Sequence, residues 1–450
     1  MTDTTGSDPQ RIIDEAPMNW RQYAVVLLMV LLNALDGFDV LSSAFASPGI
    51  AKEWGVPREA LGVMLSAELV GMGFGSVILG GLADTRGRKP TMLVCLAVMA
   101  VGMYMAHAAT GLTDLSIWRF ITGLGIGGML TSTNAVTAES TSQSARSLSM
   151  AIYVIGYPLG GVIGGIVAQT WLLPNFDWRA VFLFGAVVTA VMIPLVALLV
   201  PETPAFFTAR RPGDAVARIN HSLAAFGKGP IAALPALVAD APKPKLMDIL
   251  ANPRLRPVTL LLAFGYMFHT ITFYFILKWA VKIVSDYPPG YAPPVAASVL
   301  TYANIGGALG GLLLGFLMKR WDIKLPTVIM LFLALVGVTA FGRGYDSIGA
   351  WRAAAFVAMF FGNGAIVGFY AAFAKGFPAF ARATGTGFVL GVGRLGAAGS
   401  PIIAGYLFKA FGADQLLLVS FCMGLGSLAA LVLFLLLPMR DGDAELAARR

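Results

Sequence analysis

Asp36 and Asp39 stand three residues apart in the apolar run NALDGFDVLSSAFASPGI. In a helix that spacing puts both carboxyl groups on one face. Carboxylates in an apolar helix are costly, so they face a cavity or a partner. Two of them together repel, which favours a proton on one and suits the pair to proton carriage. The competing reading is that one aspartate only caps or pairs structurally. Glu68, in the middle of the second apolar segment, is a further proton-site candidate; it is otherwise a neutral, hydrogen-bonded core residue.

Two arginines have the complementary chemistry. Arg119 lies in WRFITGLGIGGMLTSTN, where glycines leave one side of a helix open. Its guanidinium can hold a carboxylate through two parallel hydrogen bonds, or pair with Asp36 or Asp39 as a structural element. Arg394 sits among glycines in GTGFVLGVGRLGAAGSP and needs a counter-charge or a ligand there. Tyr266 and His269 belong to an aromatic-rich run with Phe268, Phe273 and Tyr274, which can stack on a flat ligand. Asn304 is a polar group in an apolar segment, placed to line a cavity or to tie two helices. Lys278, near the outer end of the same aromatic-rich segment, is expected to snorkel.

A third group lies at segment ends. Asp84 and Arg88 belong to GGLADTRGRK, Glu139 and Arg146 flank the next such turn, and Arg382 lies near a segment mouth. Charges across tight, glycine-containing turns can pair and hold one conformation closed. They also serve as plain orientation signals.

The elements that must position these groups are membrane helices. The 450 residues are 57% hydrophobic and only 12% charged, with 52 glycines. A soluble domain carries about 25% charged residues, whereas a lipid-facing surface needs none and small residues let membrane helices approach. Twelve apolar segments are expected, at about 21–50, 58–83, 89–109, 113–138, 144–171, 178–200, 256–282, 293–318, 324–342, 347–374, 380–409 and 412–438. The fold class expected is all-α, a polytopic membrane protein. Residues 1–200 form one six-helix bundle, 201–255 a central loop with short surface helices, and 256–450 a second bundle with a short tail. Two six-helix halves suggest internal repeats; the weak echo of GGLADTRGRK in GFLMKRWDIK supports this.

Of the 32 Lys and Arg residues, 22 fall on the side shared by the N-terminus, the central loop and the C-terminus; seven fall on the opposite side. The richer side is expected to be cytoplasmic, so the protein is expected in a bacterial inner membrane with both termini inside. The net charge of +8 is thus an orientation signal and not a nucleic-acid footprint. The two cysteines and three histidines give no metal centre, and GLGIGG lacks the strand and lysine of a nucleotide site. No cofactor is expected and no enzyme chemistry emerges. Transport coupled to an ion gradient remains, with the proton as the coupling ion.

Several of these runs resemble one family. Asp36, Gly37, Phe38 and Asp39 look like the Asp-Gly-aromatic-Asp motif of the aromatic acid:proton symporters of the major facilitator superfamily. GGLADTRGRK is similar to the superfamily's loop signature, and Arg119 with TGLG, PETP at Pro201–Pro204, RATG and GVGRLG resemble further motifs. The resemblance covers nearly the whole chain. It implies twelve helices in two bundles around a central cavity. It assigns Asp36 and Asp39 to proton coupling and Asp84 and Arg88 to a cytoplasmic gate. Arg119, Glu139, Arg382 and Arg394 are implied to be sensitive positions, and the implied substrates are hydroxybenzoates and related aromatic acids. The chain departs from the pattern at Glu68 and in the FYAAFAKGFP run. The expected partners are a small organic carboxylate, protons and membrane lipid, with the monomer as the working unit. An aliphatic acid such as shikimate or a dicarboxylate, or a receptor role, are the competing readings.

Overall fold

The structure is a computed structural model that describes residues 8–235 and 246–438. Five of the basic residues counted above, Lys243, Lys245, Arg440, Arg449 and Arg450, lie outside them, as do the ends of the first and last expected domains and part of the central loop.

Twelve long helices are present among the described residues. They are α1 (Trp20–Trp54), α2 (Arg58–Arg86), α3 (Arg88–His107), α4 (Leu112–Ser140), α5 (Gln143–Asn175), α6 (Arg179–Leu199), α7 (Leu255–Asp286), α8 (Pro293–Leu317), α9 (Lys324–Phe341), α10 (Ile348–Gly376), α11 (Ala379–Phe411) and α12 (Leu416–Leu436). Eleven are long and apolar enough to cross a membrane. The exception is α4, whose apolar residues are diluted by four glycines and by Thr131, Ser132, Thr133 and Asn134. These small and polar residues are what a helix facing other protein can carry and a helix facing lipid cannot.

The expected segments match the helices to within a few residues, and the differences have local causes. The first helix runs past residue 50 because Pro48 does not break it; it stops at Gly55, whose φ of 60° gives a left-handed cap. The last begins at Leu416 rather than 412, because Gly412 at φ 89° ends α11. An Asn19–Gln22 capping box starts α1, with both side chains satisfying first-turn amides. Between α6 and α7 lie short helices at Pro204–Arg210, Ala215–Ala225 and Leu246–Ala251. The second falls where a surface helix is expected, and Arg21 donates to its final carbonyls, at 3.1 Å to Ala224.

The buried apolar residues fall into three clusters, and their distribution describes the state of the protein. One cluster is built almost wholly from α1–α6 and the connection that follows, and another from α7–α12 alone. Both lie toward the end where α1 begins and α12 finishes, here called the terminal end. The third, at the far end, is shared: Phe38, Phe45, Leu61 and Phe182 pack in one core with Phe275, Trp279, Leu300 and Phe408. Polar contacts across the halves follow the same division. Arg58 pairs with Asp286 at 2.9 Å and Lys409 with Glu59 at 2.8 Å. Both pairs belong to the far end. The halves are thus sealed together there, and each keeps its own core at the terminal end.

Candidate functional site

The buried charges of the first half gather where α1, α2 and α4 meet. Close approach of α2 to α4 creates the site. A Cβ on Gly123 would strike the Glu68 carbonyl, and one on Gly71 the Phe120 carbonyl. With backbones in contact, Glu68 and Arg119 meet directly, at 2.6 Å between Oε2 and Nη2, both fully buried. Arg119 also donates to the Asp39 carbonyl at 2.7 Å, approaches Met103 Sδ at 2.7 Å and lies 5.3 Å over the Phe182 ring. Both terminal nitrogens of this guanidinium are thus engaged, while its Nε has no partner among the described residues. Removing one member of a buried pair costs roughly 3–5 kcal/mol, because the other is left uncompensated.

Asp36 and Asp39 are fully buried on α1, and their carboxyl oxygens have no hydrogen-bond partner among the described residues. The Asp39 side chain packs against Gly185 of α6, where a Cβ would come within 2.9 Å of Oδ1. Gly37 between the aspartates lets α1 rest on the Tyr157 backbone of α5. The two carboxyls therefore sit in a closely packed pocket, with Arg119 offered to the backbone of Asp39 and not to its carboxyl group.

Arg394 occupies the other half, on α11, and is only half-buried. It makes no ion pair among the described residues. Four tyrosines from three other helices lie within its electrostatic reach: Tyr157 of α5, Tyr266 and Tyr274 of α7, and Tyr370 of α10. Gly393 makes room for the Tyr266 ring, and the Tyr266 and Tyr370 hydroxyls lie 3.4 Å apart. Of the two arginines singled out in the sequence, Arg119 is thus engaged by Glu68, while Arg394 has tyrosines around it and no ion-pair partner among the described residues. His269 is fully buried and tied at both nitrogens, to Ser427 Oγ at 2.9 Å and the Gly362 carbonyl at 2.8 Å, with its ring stacked on Phe369. Those bonds hold α7 to α10 and α12. Asn304 donates to Leu300 at 2.8 Å within α8 and lies against Gly161 of α5, at the seam between halves.

Lys278 does not snorkel. It is fully buried, and its ammonium reaches Glu68 at 3.2 Å and the Val40 carbonyl. The end of α7 lies two turns further on, where Lys282 pairs with Asp286. Lys282, and not Lys278, is the partly exposed lysine near the end of α7.

The turn charges assemble at the terminal end. Arg88 pairs with Glu139 at 3.1 Å and Asp84 at 3.4 Å, joining the α2–α3 turn to the end of α4. Arg146 pairs with Asp14 of the N-terminal helix Pro9–Glu15 and donates to Ala138 at 3.0 Å. Arg382 donates to Phe377 at 3.3 Å, beside the start of α11. Glu202, a residue the motif PETP contained without marking, accepts from the Arg88 and Lys89 amides at 3.0 and 3.1 Å. A carboxylate there offsets the positive end of α3. Burial raises its pKa against the pull of those amides. Gly87 is required beside it: its φ is 113°, and a Cβ would collide with Glu202 Oε2. The second half repeats the device with the signs reversed. Asp322, in the α8–α9 turn, takes Lys375 at the end of α10 at 2.9 Å, and that hydrogen bond holds the Asp322 carboxyl below its ordinary range.

Comparison with known proteins agrees with this arrangement. The Major Facilitator Superfamily pattern matches residues 27–374. The 4-hydroxybenzoate transporter PcaK of Pseudomonas aeruginosa is 31% identical over 406 residues, 87% of each chain. The gallate transporter of Pseudomonas putida is 29% identical over 401 residues, again 87% of each. Among solved structures, a D-xylose–proton symporter superposes with a TM-score of 0.70 over 94% of this chain and 99% of its own, at 16% identity, a likeness of fold alone. A twelve-helix membrane protein with two sealed halves, a buried acid pair and these relatives is a transporter, and the chain belongs to the aromatic acid:proton symporter family of the Major Facilitator Superfamily.

Proposed function

We propose that this protein takes up an aromatic carboxylate together with protons by alternating access. The observation that carries the reading is the pairing of two sites. Arg394 stands without an ion-pair partner among the described residues, within electrostatic reach of four tyrosines and of one buried acid of the first half, Asp36. A guanidinium beside aromatic rings suits a ligand that is at once flat and anionic. The relatives named for 4-hydroxybenzoate, gallate and benzoate transport support the same substrate class. Asp36, Asp39 and Glu68 are the proton-carrying candidates. Tyr266 belongs to the substrate site; His269 and Asn304 act behind it, by fixing α7 and the α5–α8 seam. Asp84, Arg88, Glu139, Arg146 and Arg382, joined by Glu202, form the gate charges of the terminal end.

The basic residues gather at the terminal end, which on the positive-inside rule faces the cytoplasm. The sealed far end then faces outward, and the terminal end, where each half keeps its own core, faces inward. Protection of a cysteine introduced at Gly213 from an impermeant thiol reagent in intact cells checks this orientation.

Counterflow in proteoliposomes tests the substrate class. Vesicles preloaded with unlabelled 4-hydroxybenzoate should accumulate the labelled acid. Benzoate, gallate or gentisate outside should compete, whereas shikimate, succinate and 4-hydroxybenzamide should not. Counterflow driven by shikimate and not by any aromatic acid would overturn the aromatic assignment; binding without counterflow would favour a receptor.

A further inference from the structure

Lys278 is a charge that the second half places inside the buried cluster of the first. Its ammonium meets Glu68 Oε2 at 3.2 Å and the Val40 carbonyl, and all three groups are shut away from solvent. Glu68 already has a cation from its own half, Arg119 at 2.6 Å. The other ionisable groups within its electrostatic reach are Asp36 and Asp39 on α1, Tyr157 on α5 and Tyr274 on α7. Ser43 lies 3.4 Å from its Oε2, and α3 contributes Met103 to Arg119. Because α7 belongs to one half and α2 to the other, the halves cannot part at the far end without breaking the Lys278–Glu68 pair.

We propose that Lys278 is a coupling residue whose charge is balanced by Glu68 in the empty protein and by the substrate carboxylate, anchored at Arg394, in the loaded one. The proposal rests on the symport reading above and gives it a charge rule. Arg119 and Lys278 are two cations, so the closed, empty far end is matched when two carboxylates are ionised, Glu68 and one member of the Asp36–Asp39 pair. A proton added to Glu68 from water at the open mouth removes the negative charge, and closing then buries an unmatched ammonium. An anion added without the proton leaves one negative charge too many. With both added, the substrate carboxylate at Arg394 replaces the charge that Glu68 has lost, and the net charge returns to that of the empty protein. Burying an unmatched charge is costly, whereas a matched one is tolerated. Only the empty and the doubly loaded forms therefore close, which fixes one proton for one monoanion and leaks neither alone.

The test uses the full chain without substrate. Spin labels are placed at Lys52 and Gln415, exposed positions at the far end, one in each half, in a background with Cys95 and Cys422 replaced by Ser. Pulsed electron–electron resonance in lipid nanodiscs reads the distance between them at alkaline and acidic pH. The parent should show one short-distance population at alkaline pH and a long-distance population that grows several-fold on acidification. Lys278→Met should show the long population at both pH values, with no further response to acid, and Glu68→Gln should behave alike. Lys278→Arg, which keeps charge and reach, should respond as the parent does. Glu68→Gln also separates Glu68 from Asp36 and Asp39, which remain titratable in it. If Lys278→Met does not fold, loss of the acid response in Glu68→Gln with its retention in Lys278→Arg supports the proposal. A full acid response in Glu68→Gln, or a parent distribution that ignores pH, overturns it. No substrate is present, so an error in the substrate class leaves these outcomes unchanged, and intact aromatic-acid uptake with a failed result here would sink the coupling proposal alone.

Discussion

Uphill uptake falls to the level of empty vesicles in Asp39→Asn, and in Asp36→Asn, while exchange of preloaded for external substrate survives in at least one of them. Asn has the shape of a protonated aspartic acid and cannot release a proton. Each carboxyl is fully buried and has no hydrogen-bond partner among the described residues, so the substitution removes a titratable group without breaking a side-chain bond. The packing of Asp39 against Gly185 and the donation of Arg119 to the Asp39 carbonyl do not depend on the carboxyl charge. The two variants should therefore fold and remain able to bind. Comparing pH-driven accumulation with exchange in the same vesicles checks this. Parent-like accumulation in both variants would remove the pair from the coupling mechanism and leave Glu68 as the proton carrier.

The two arginines are expected to fail in different ways. Arg394→Lys should raise the apparent KM for an aromatic acid by roughly 10- to 100-fold, the equivalent of losing about 1.5–3 kcal/mol of charge-assisted hydrogen bonding. A lysine keeps the charge but not the planar fork that grips a carboxylate at two points. Binding of the matching neutral amide, weak at the outset, should change little. Arg119→Lys should instead lower turnover and thermal stability with a small effect on KM, because Arg119 holds Glu68, the Asp39 carbonyl and the Phe182 face together. Calorimetric titration with the acid and its amide, alongside uptake rates, separates the two patterns. The reverse result, tight acid binding in Arg394→Lys and lost binding in Arg119→Lys, would move the carboxylate anchor to the first half.

From the chain alone, the twelve helices are legible because bilayer thickness imposes a run length that a sequence displays directly. Their ends are less so: Pro48 looks like a stop and is not, and Gly412 is one. Asp36, Asp39, Glu68 and Arg119 are legible for the same reason that they are rare, since each is expensive in an apolar segment. What the chain does not display is which of them touch. The contact of Glu68 with Arg119 depends on glycines that bring α2 against α4, and the reach of Lys278 across the halves depends on how α7 crosses α1. Arg119 therefore reads equally well as a ligand anchor or a structural pair until Glu68 is seen beside it. Glu202 is hidden for a related reason: its partners are backbone amides at the start of α3, which no side-chain pattern reveals.

If protons drive an aromatic acid inward through this buried cluster, labelled 4-hydroxybenzoate uptake into proteoliposomes with an imposed pH gradient, acid outside, will show it. Uptake should overshoot its equilibrium level, collapse when a protonophore is added, and persist at zero membrane potential because one proton with one monoanion moves no net charge. Uptake that merely equilibrates, at the same rate with and without the pH gradient, would contradict it.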